Sequence, residues 1–330
     1  MTRRELLFTI PALAVAPRIF AQASKPSIPL RGFNHFTLGV SDVKRSVDFY
    51  QGLFGMPIQA RQGERVILRI GNGPQFIAIA PAGSASPSIM QTGLAVDTFN
   101  ADRLVGILAQ HGFTKADAIG PMKVRVSDRG GTTELHLGDP DGLLIQLQDA
   151  SYCGGSGASG NVCRNSEPAP RKGLLAVKEI NHFTISVPDA AKTNAFYRSL
   201  FGLGIRARQG ASAGLGVGPT VGFLMFTGGS GGRGGAAPRP ASINHACMSM
   251  DTFVPDAVLK TLTSYGITAR GDGAGAVAPM KHYISLRMAD RGGAREGTPE
   301  LYFTDPDGLL IQLQDASYCG GGGLLGNVCN

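Results

Sequence analysis

Apolar positions crowd residues 33–40, as they do in a strand, and give way at Asp42 to a helical spacing. Asp42 can cap that helix, Val43, Val47, Tyr50 and Phe54 fall on one stripe, and Gly55 suits its C-terminal end. Short strands are predicted around residues 66–70 and 75–79. Strand and helix then return at residues 93–96 and 101–111, the helix closed by Gly112. Two last strands, 134–137 and 143–148, flank Asp139-Pro140-Asp141-Gly142, whose Pro and Gly have turn chemistry. The order is β-α-β-β-β, run through twice in about 120 residues.

The whole pattern then recurs. Asn34-His35-Phe36-Thr37 returns as Asn181-His182-Phe183-Thr184, and the Phe49-Tyr50 segment ending at Gly55 returns as the Phe196-Tyr197 segment ending at Gly202. Pro121-Met122-Lys123 returns as Pro279-Met280-Lys281, and Asp128-Arg129-Gly130-Gly131 as Asp290-Arg291-Gly292-Gly293. The seventeen residues from Asp139 to Gly155 recur unchanged from Asp305 to Gly321. Self-similarity on this scale means two copies of one domain, each of two βαβββ modules. The second copy is longer, mostly at loops such as residues 228–240. Residues 31–150 and 177–317 are the two domains, with a Gly/Ser/Pro-rich linker at 151–176 and a Gly-rich tail at 318–330.

Composition narrows the class of protein. The chain has 330 residues, 43% hydrophobic and 17% charged, which suits two soluble domains. Its net charge of +7 is scattered, with no basic run interleaved with aromatics, so nucleic acid is not expected as a partner. Residues 1–23 carry Arg3-Arg4, a short apolar run and Ala21-Gln22-Ala23, the parts of an export signal of the twin-arginine kind. That run is too short to span a bilayer, so a periplasmic or secreted protein is expected. Cys153 and Cys163, and Cys319 and Cys329, have the same spacing around Gly-rich interiors; in an exported protein they read as two local disulfides. Cys247 has no partner and reads as a small filler.

Three motifs carry a family resemblance: Asn-His-Phe-Thr on the first strand, Phe-Tyr-x-x-Leu-Phe-Gly ending the first helix, and Asp-Pro-Asp-Gly before the last strand. With them the chain resembles the vicinal oxygen chelate (VOC) superfamily, which includes glyoxalase I, bleomycin-resistance proteins, fosfomycin-resistance enzymes and extradiol dioxygenases. The resemblance covers nearly all of residues 31–317. It implies an α+β fold of tandem VOC domains, each an eight-stranded cup with helices outside. One fold hosts many chemistries, so function must come from the site.

Strand alternation sorts the second copy into faces. Phe183, Ile185, Ala246, Met248, Leu301, Phe303, Ile311 and Leu313 form an apolar set that should pack under the helices. His182, Thr184, His245, Cys247, Glu300, Tyr302 and Gln312 form a polar set that should line the cup. By resemblance, the family's metal ligands fall at His182, His245 and Gln312. The third is normally Glu, and Glu300, one strand away, is an alternative carboxylate. The cofactor so implied is a divalent metal: Fe, Mn, Zn or Ni. By the same resemblance Tyr302 is a catalytic acid beside the metal. The first copy aligns His35, Gln91 and Gln146 with that triad, and offers His35, Glu134 and His136 as a second grouping. His111 reads as a surface residue, and His282 has no counterpart in the first copy.

Two functions are expected from this. One is a metal-dependent, glyoxalase- or dioxygenase-like enzyme acting on a small oxygenated substrate through domain 2. The other is a metal-free module that binds and sequesters a small molecule, as bleomycin-resistance proteins do. Gln in place of Glu in both copies points toward the second. Partners are a small-molecule substrate or ligand, in a monomer or homodimer.

Overall fold

The computed structural model describes residues 28–228, 240–271 and 276–329. Residues 1–23, expected to be an export signal, and most of the long loop at 228–240 lie outside them. Domain 1 runs β1 (Leu30–Val40), α1 (Val43–Phe54), β2 (Ile58–Gln62), β3 (Arg65–Arg69), β4 (Phe76–Pro81), β5 (Ser88–Val96), α2 (Ala101–Gln110), β6 (Thr114–Lys115), β7 (Lys123–Arg129), β8 (Thr132–Gly138) and β9 (Leu144–Asp149). Domain 2 repeats the order as β10 (Glu179–Ser186), α3 (Ala190–Phe201), β11 (Ile205–Gln209), β12 (Ser212–Gly216), β13 (Phe223–Thr227), β14 (Ser242–Met250), α4 (Pro255–Ser264), β15 (Thr268–Ala269), β16 (Lys281–Arg287), β17 (Thr298–Thr304) and β18 (Leu310–Asp315).

Each domain is one mixed sheet, β2-β3-β4-β1-β5-β9-β8-β7-β6 and its counterpart in domain 2. The two modules meet where β1 pairs antiparallel with β5, and β10 with β14. A ninth, two-residue strand (β6 or β15) extends the eight of the expected cup at one edge. The first helix of each domain is capped as its sequence requires. The Asp42 and Asp189 side chains accept backbone N–H bonds from Arg45 and Lys192, and Gly55 and Gly202 end the helices at φ 67°. Strands β2 and β7 escaped the sequence reading because Gln59, Arg61, Lys123, Arg125 and Arg129 dilute their apolar alternation.

The apolar face of each sheet contributes to one continuous core that crosses the domain boundary. Phe183 of β10 meets Phe33 and Phe36 of β1 edge-on, at 5.1 and 5.8 Å between ring centroids. The cups therefore open away from this shared core. Among the described residues no helix is long and apolar enough to cross a membrane.

One sequence alignment is corrected by the register. Arg129 pairs with Thr132 across the β7–β8 turn, and Arg287 pairs with Thr298 across β16–β17. Arg287, not Arg291, is the structural counterpart of Arg129. The second Asp-Arg-Gly-Gly string belongs to an inserted turn, the 3-10 helix Ala289–Arg291.

The repeated Asp-Pro-Asp-Gly turn has a second task besides joining strands. Tyr50 of α1 donates to Asp305 of domain 2 (3.2 Å), and Tyr197 of α3 donates to Asp139 of domain 1 (3.0 Å). Arg45 bonds Asp307 (2.7 Å) while Thr193 bonds Asp141 (2.7 Å). Each domain thus grips the other's turn, and the clasp is reciprocal.

Candidate functional site: the cup of domain 2

The polar faces of β10, β13, β14, β17 and β18 surround a cavity of about 150 Å³ lined by His182, His245, Glu300, Tyr302, Gln312 and Tyr318, among others. His182 Nε2 lies 3.0 Å from Gln312 Oε1, and the His182 and His245 rings stand 5.5 Å apart, centroid to centroid. The His182 ring is stacked on Phe223 at 4.4 Å. Tyr302 packs edge-on against His245 at 5.3 Å and stacks on Tyr283 at 5.0 Å.

The tautomer of each imidazole follows from its neighbours. Asn181 Nδ2 donates to the Tyr318 carbonyl (2.8 Å), which turns Asn181 Oδ1 toward His182 Nδ1 (2.8 Å). An amide oxygen only accepts, so Nδ1 carries the proton and Nε2 presents a lone pair to the cup. Asn244 Oδ1 does the same for His245 Nδ1, at 2.8 Å. Adjacent residues of a strand normally face opposite ways. Here the β10–β14 ladder shifts register at Asn181 and again at Asn244. These bulges bring each asparagine beside the histidine that follows it. The recurrent Asn-His dipeptide was the sequence signal for this arrangement.

Burial keeps both rings neutral: His245 is pushed down to about 4, and His182 well below its usual value, with the neighbouring His245 adding to the effect. The outcome is a buried group of acceptors. His245 Nε2 meets no donor, His182 Nε2 faces an amide oxygen, and the Gln312 amide nitrogen is itself unpartnered.

Glu300 does not join this group as a ligand. Its Oε1 accepts from Arg287 Nε (2.8 Å) and from the Tyr318 hydroxyl (2.9 Å), and its Oε2 accepts from Tyr302 at 3.3 Å. Arg287 is fully buried and also bonds the Gly292 and Gly321 carbonyls. Among the described residues no three His, Cys, Asp or Glu side chains gather closely enough to hold a metal. That finding corrects the grouping of His35, Glu134 and His136 in domain 1. In domain 2 it leaves Gln312 as the side chain beside His182 that could complete a metal site. The residues present fit such an ion as a neutral N, N, O set, with two imidazole nitrogens and the Gln312 amide facing the cup.

Domain 1 closes the same space. Gln91, the counterpart of His245, donates to His35 Nε2 and to Gln146 Oε1, both at 3.0 Å. Glu134 pairs with Arg129 (2.7 Å) and accepts from Tyr152 (2.8 Å), so the carboxylate contacts match those of domain 2. A Cβ on Gly93 would run into the His35 ring, whereas the matching position in domain 2 is Cys247.

Of the remaining candidates, Cys247 is fully buried, its thiol pushed well up by burial and by Glu300. His282 Nε2 lies 2.8 Å from the Thr263 hydroxyl, away from the cup, and His111 caps α2. Disulfides join Cys153 to Cys163 and Cys319 to Cys329, with Cα separations of 6.4 and 6.3 Å. Sequence reasoning missed Asn244, Arg287 and Tyr318, and it missed the task of Asn181, although Asn181 opens the Asn-His-Phe-Thr motif.

The chain belongs to the Glyoxalase/Bleomycin resistance protein/Dioxygenase superfamily, whose profile matches residues 32–147 and 179–313. No curated protein sequence matches it. Among solved structures, the Mn(II)-bound glyoxalase from Novosphingobium aromaticivorans is similar, with a TM-score of 0.60 and 16% identity, over 87% of this chain and 82% of that one. Homoprotocatechuate 2,3-dioxygenase from Brevibacterium fuscum, in complex with 3,4-dihydroxyphenylacetate, is similar with a TM-score of 0.57 and 16% identity, over 88% and 82% of the two chains. At that identity the likeness is one of fold.

Proposed function

We propose that domain 2 binds a small oxygenated molecule, an aromatic diol or a carbonyl compound, through a divalent metal held by His182, His245 and Gln312, in the manner of glyoxalases and dioxygenases. The observation that carries this reading is the convergence of His182, His245 and Gln312 on one cavity, where His245 Nε2 meets no donor. A buried acceptor without a partner costs about 1–3 kcal/mol, so the arrangement calls for a positive centre or a donor. A divalent ion, when bound there, would polarise a substrate oxygen as a Lewis acid.

The chain's own residues do the rest. Asn181 and Asn244 hold the two imidazoles in the tautomer that offers Nε2. Tyr302, whose hydroxyl burial pushes well above its usual range, keeps its proton and can donate it to a substrate oxygen, oriented by Glu300. Burial among Phe223, Met225 and Tyr318 keeps water scarce around a bound ligand.

Export supports the same picture. Two disulfides fit an oxidising compartment, and the twin arginines would carry a protein already folded and loaded. Processing near Ala23 is expected, and mass spectrometry of native protein beginning at Met1 would refute it.

A metal-free binding module is the second reading. The Gln312 amide, turned over, would aim its two N–H groups at both imidazole lone pairs and close the network without an ion. Metal analysis of natively purified protein separates the two. About one Fe, Mn, Zn or Ni per chain, lost in His245→Ala, supports the first; metal-free protein that does not take up Co(II) supports the second.

A further inference from the structure

Tyr318 lies beyond the last strand of domain 2, in the tail that repeats that of domain 1, yet its ring stands inside the cup. It is 1% exposed, 5.5 Å from the His182 ring and 6.1 Å from Phe223. Its hydroxyl donates to Glu300 (2.9 Å) and accepts from Gln209 Nε2 (3.0 Å). The loop behind it is laid directly on the ring, since a Cβ on Gly326 would run into it. The N–H groups of Cys319 and Gly321 both donate to Gly326 O, at 3.0 and 3.1 Å, and the Thr298 hydroxyl donates to Gly323 O at 2.7 Å. The Cys319–Cys329 bond closes the loop.

With the tyrosine so fixed, the space left beside His182, His245 and Tyr302 is about 150 Å³. An engineered cavity of about that volume in another protein takes up benzene. The Tyr318 ring is the large fixed wall on one side of this space, while paired strands carry His182, His245 and Gln312 on the others.

We infer that Tyr318 is the specificity-determining residue of the domain 2 cup, limiting its ligand to a single ring or less. The inference rests on the proposed reading that this cup binds a small oxygenated molecule. Tyr318 contributes twice: its ring sets the size limit, and its carbonyl, through Asn181, keeps the His182 lone pair turned inward.

The test uses two probes that differ only in size, catechol and 2,3-dihydroxynaphthalene. Their binding is read from the ¹⁵N signals of the His182 and His245 rings. In the wild type catechol should shift both rings and the two-ring diol should not. Tyr318→Ala should bind the two-ring diol about tenfold or more tighter than the wild type does, whereas Tyr318→Phe, which keeps the ring, should still exclude it. Tyr318→Leu gives a second enlarged cup in case the alanine variant does not fold. Wild-type protein that binds both probes alike overturns the inference, and so does a folded Ala or Leu variant that still excludes the larger one. If neither probe moves the histidine signals in any variant, the reading of the cup as a binding site falls, and the inference falls with it.

Discussion

The two cups share a lineage and many contacts, but they differ where Tyr302 of domain 2 replaces His136 and, more consequentially, at the position that faces the first-strand imidazole. Domain 1 has Met90-Gln91 where domain 2 has Asn244-His245. Gln91 brings an N–H pair, and both neighbouring acceptors are satisfied by it at 3.0 Å. His245 brings a ring whose only proton is taken by Asn244, so its Nε2 stays open. A donor at that position closes the cup, and an acceptor there leaves it in need of a ligand. The scaffold around the difference is unchanged: each cup keeps its Glu–Arg–Tyr contacts, its disulfide loop and its clasp on the other domain.

The largest effect expected from setting the domains against each other lies in the buried ion pair. Arg287 is 0% exposed in its side chain and Arg129 is 31% exposed. Removing Arg287 leaves Glu300 charged and buried, which costs about 3–5 kcal/mol. Arg287→Met should therefore lower unfolding stability in denaturant far more than Arg129→Met does. Equal losses would mean that the two cups are equally dry.

The clasp should respond to pH in the same way on both sides. Burial pushes the Asp139 and Asp305 carboxyls up to about 6, despite the hydrogen bonds they accept. A carboxyl with a raised folded-state value binds more protons folded than unfolded between about pH 4 and 6. Its contribution is most favourable below about pH 4, falls as pH rises to about 6, and is flat above. At about 1.4 kcal/mol per unit, each should account for roughly 2–3 kcal/mol of that decline. Asp305→Asn and Asp139→Asn should each flatten the stability–pH curve in this window by a similar amount. A flattening seen in only one of them would break the symmetry of the seam.

Metal affinity should separate the cups most cleanly. Gln312→Glu adds a negative ligand to an inward-facing set and should raise Co(II) affinity about 10–100-fold by calorimetric titration, the span over which metal sites are commonly tuned. Gln146→Glu in domain 1 should change it little, because Gln91 already occupies the imidazole lone pair.

The smallest effect tests the comparison itself. His245→Gln copies the donor of domain 1 into domain 2. It should abolish metal uptake and raise stability by about 1 kcal/mol, as an unmet acceptor gains its hydrogen bond. A loss of stability would mean that the open acceptors are satisfied in some other way.

The fold was legible at the level of the domain. Helix caps at Asp42 and Asp189, the αL glycines at 55 and 202, and the alternation on β10, β14, β17 and β18 are local features, set by residues a few positions apart. Two features were not legible. Strands β2 and β7 carry too many polar residues to alternate visibly, and the second Asp-Arg-Gly-Gly string, though identical in sequence to the first, sits in an inserted turn rather than at a strand end. Identity of residues did not fix identity of place, because pairing register is decided across strands and not along them.

The sequence by itself determined that there are two copies of one domain, which strand faces are polar, and where His182, His245 and Gln312 fall on them. Only the tertiary structure decided what those side chains offer. The tautomer of His182 depends on Asn181, which depends on a carbonyl at Tyr318, 137 residues further along the chain. The fate of Glu300 depends on Arg287 and Tyr318, and the free volume depends on a tail that folds back over the cup. Hydrogen-bond direction and residual space are properties of groups brought together from distant parts of the chain, and no local pattern encodes them.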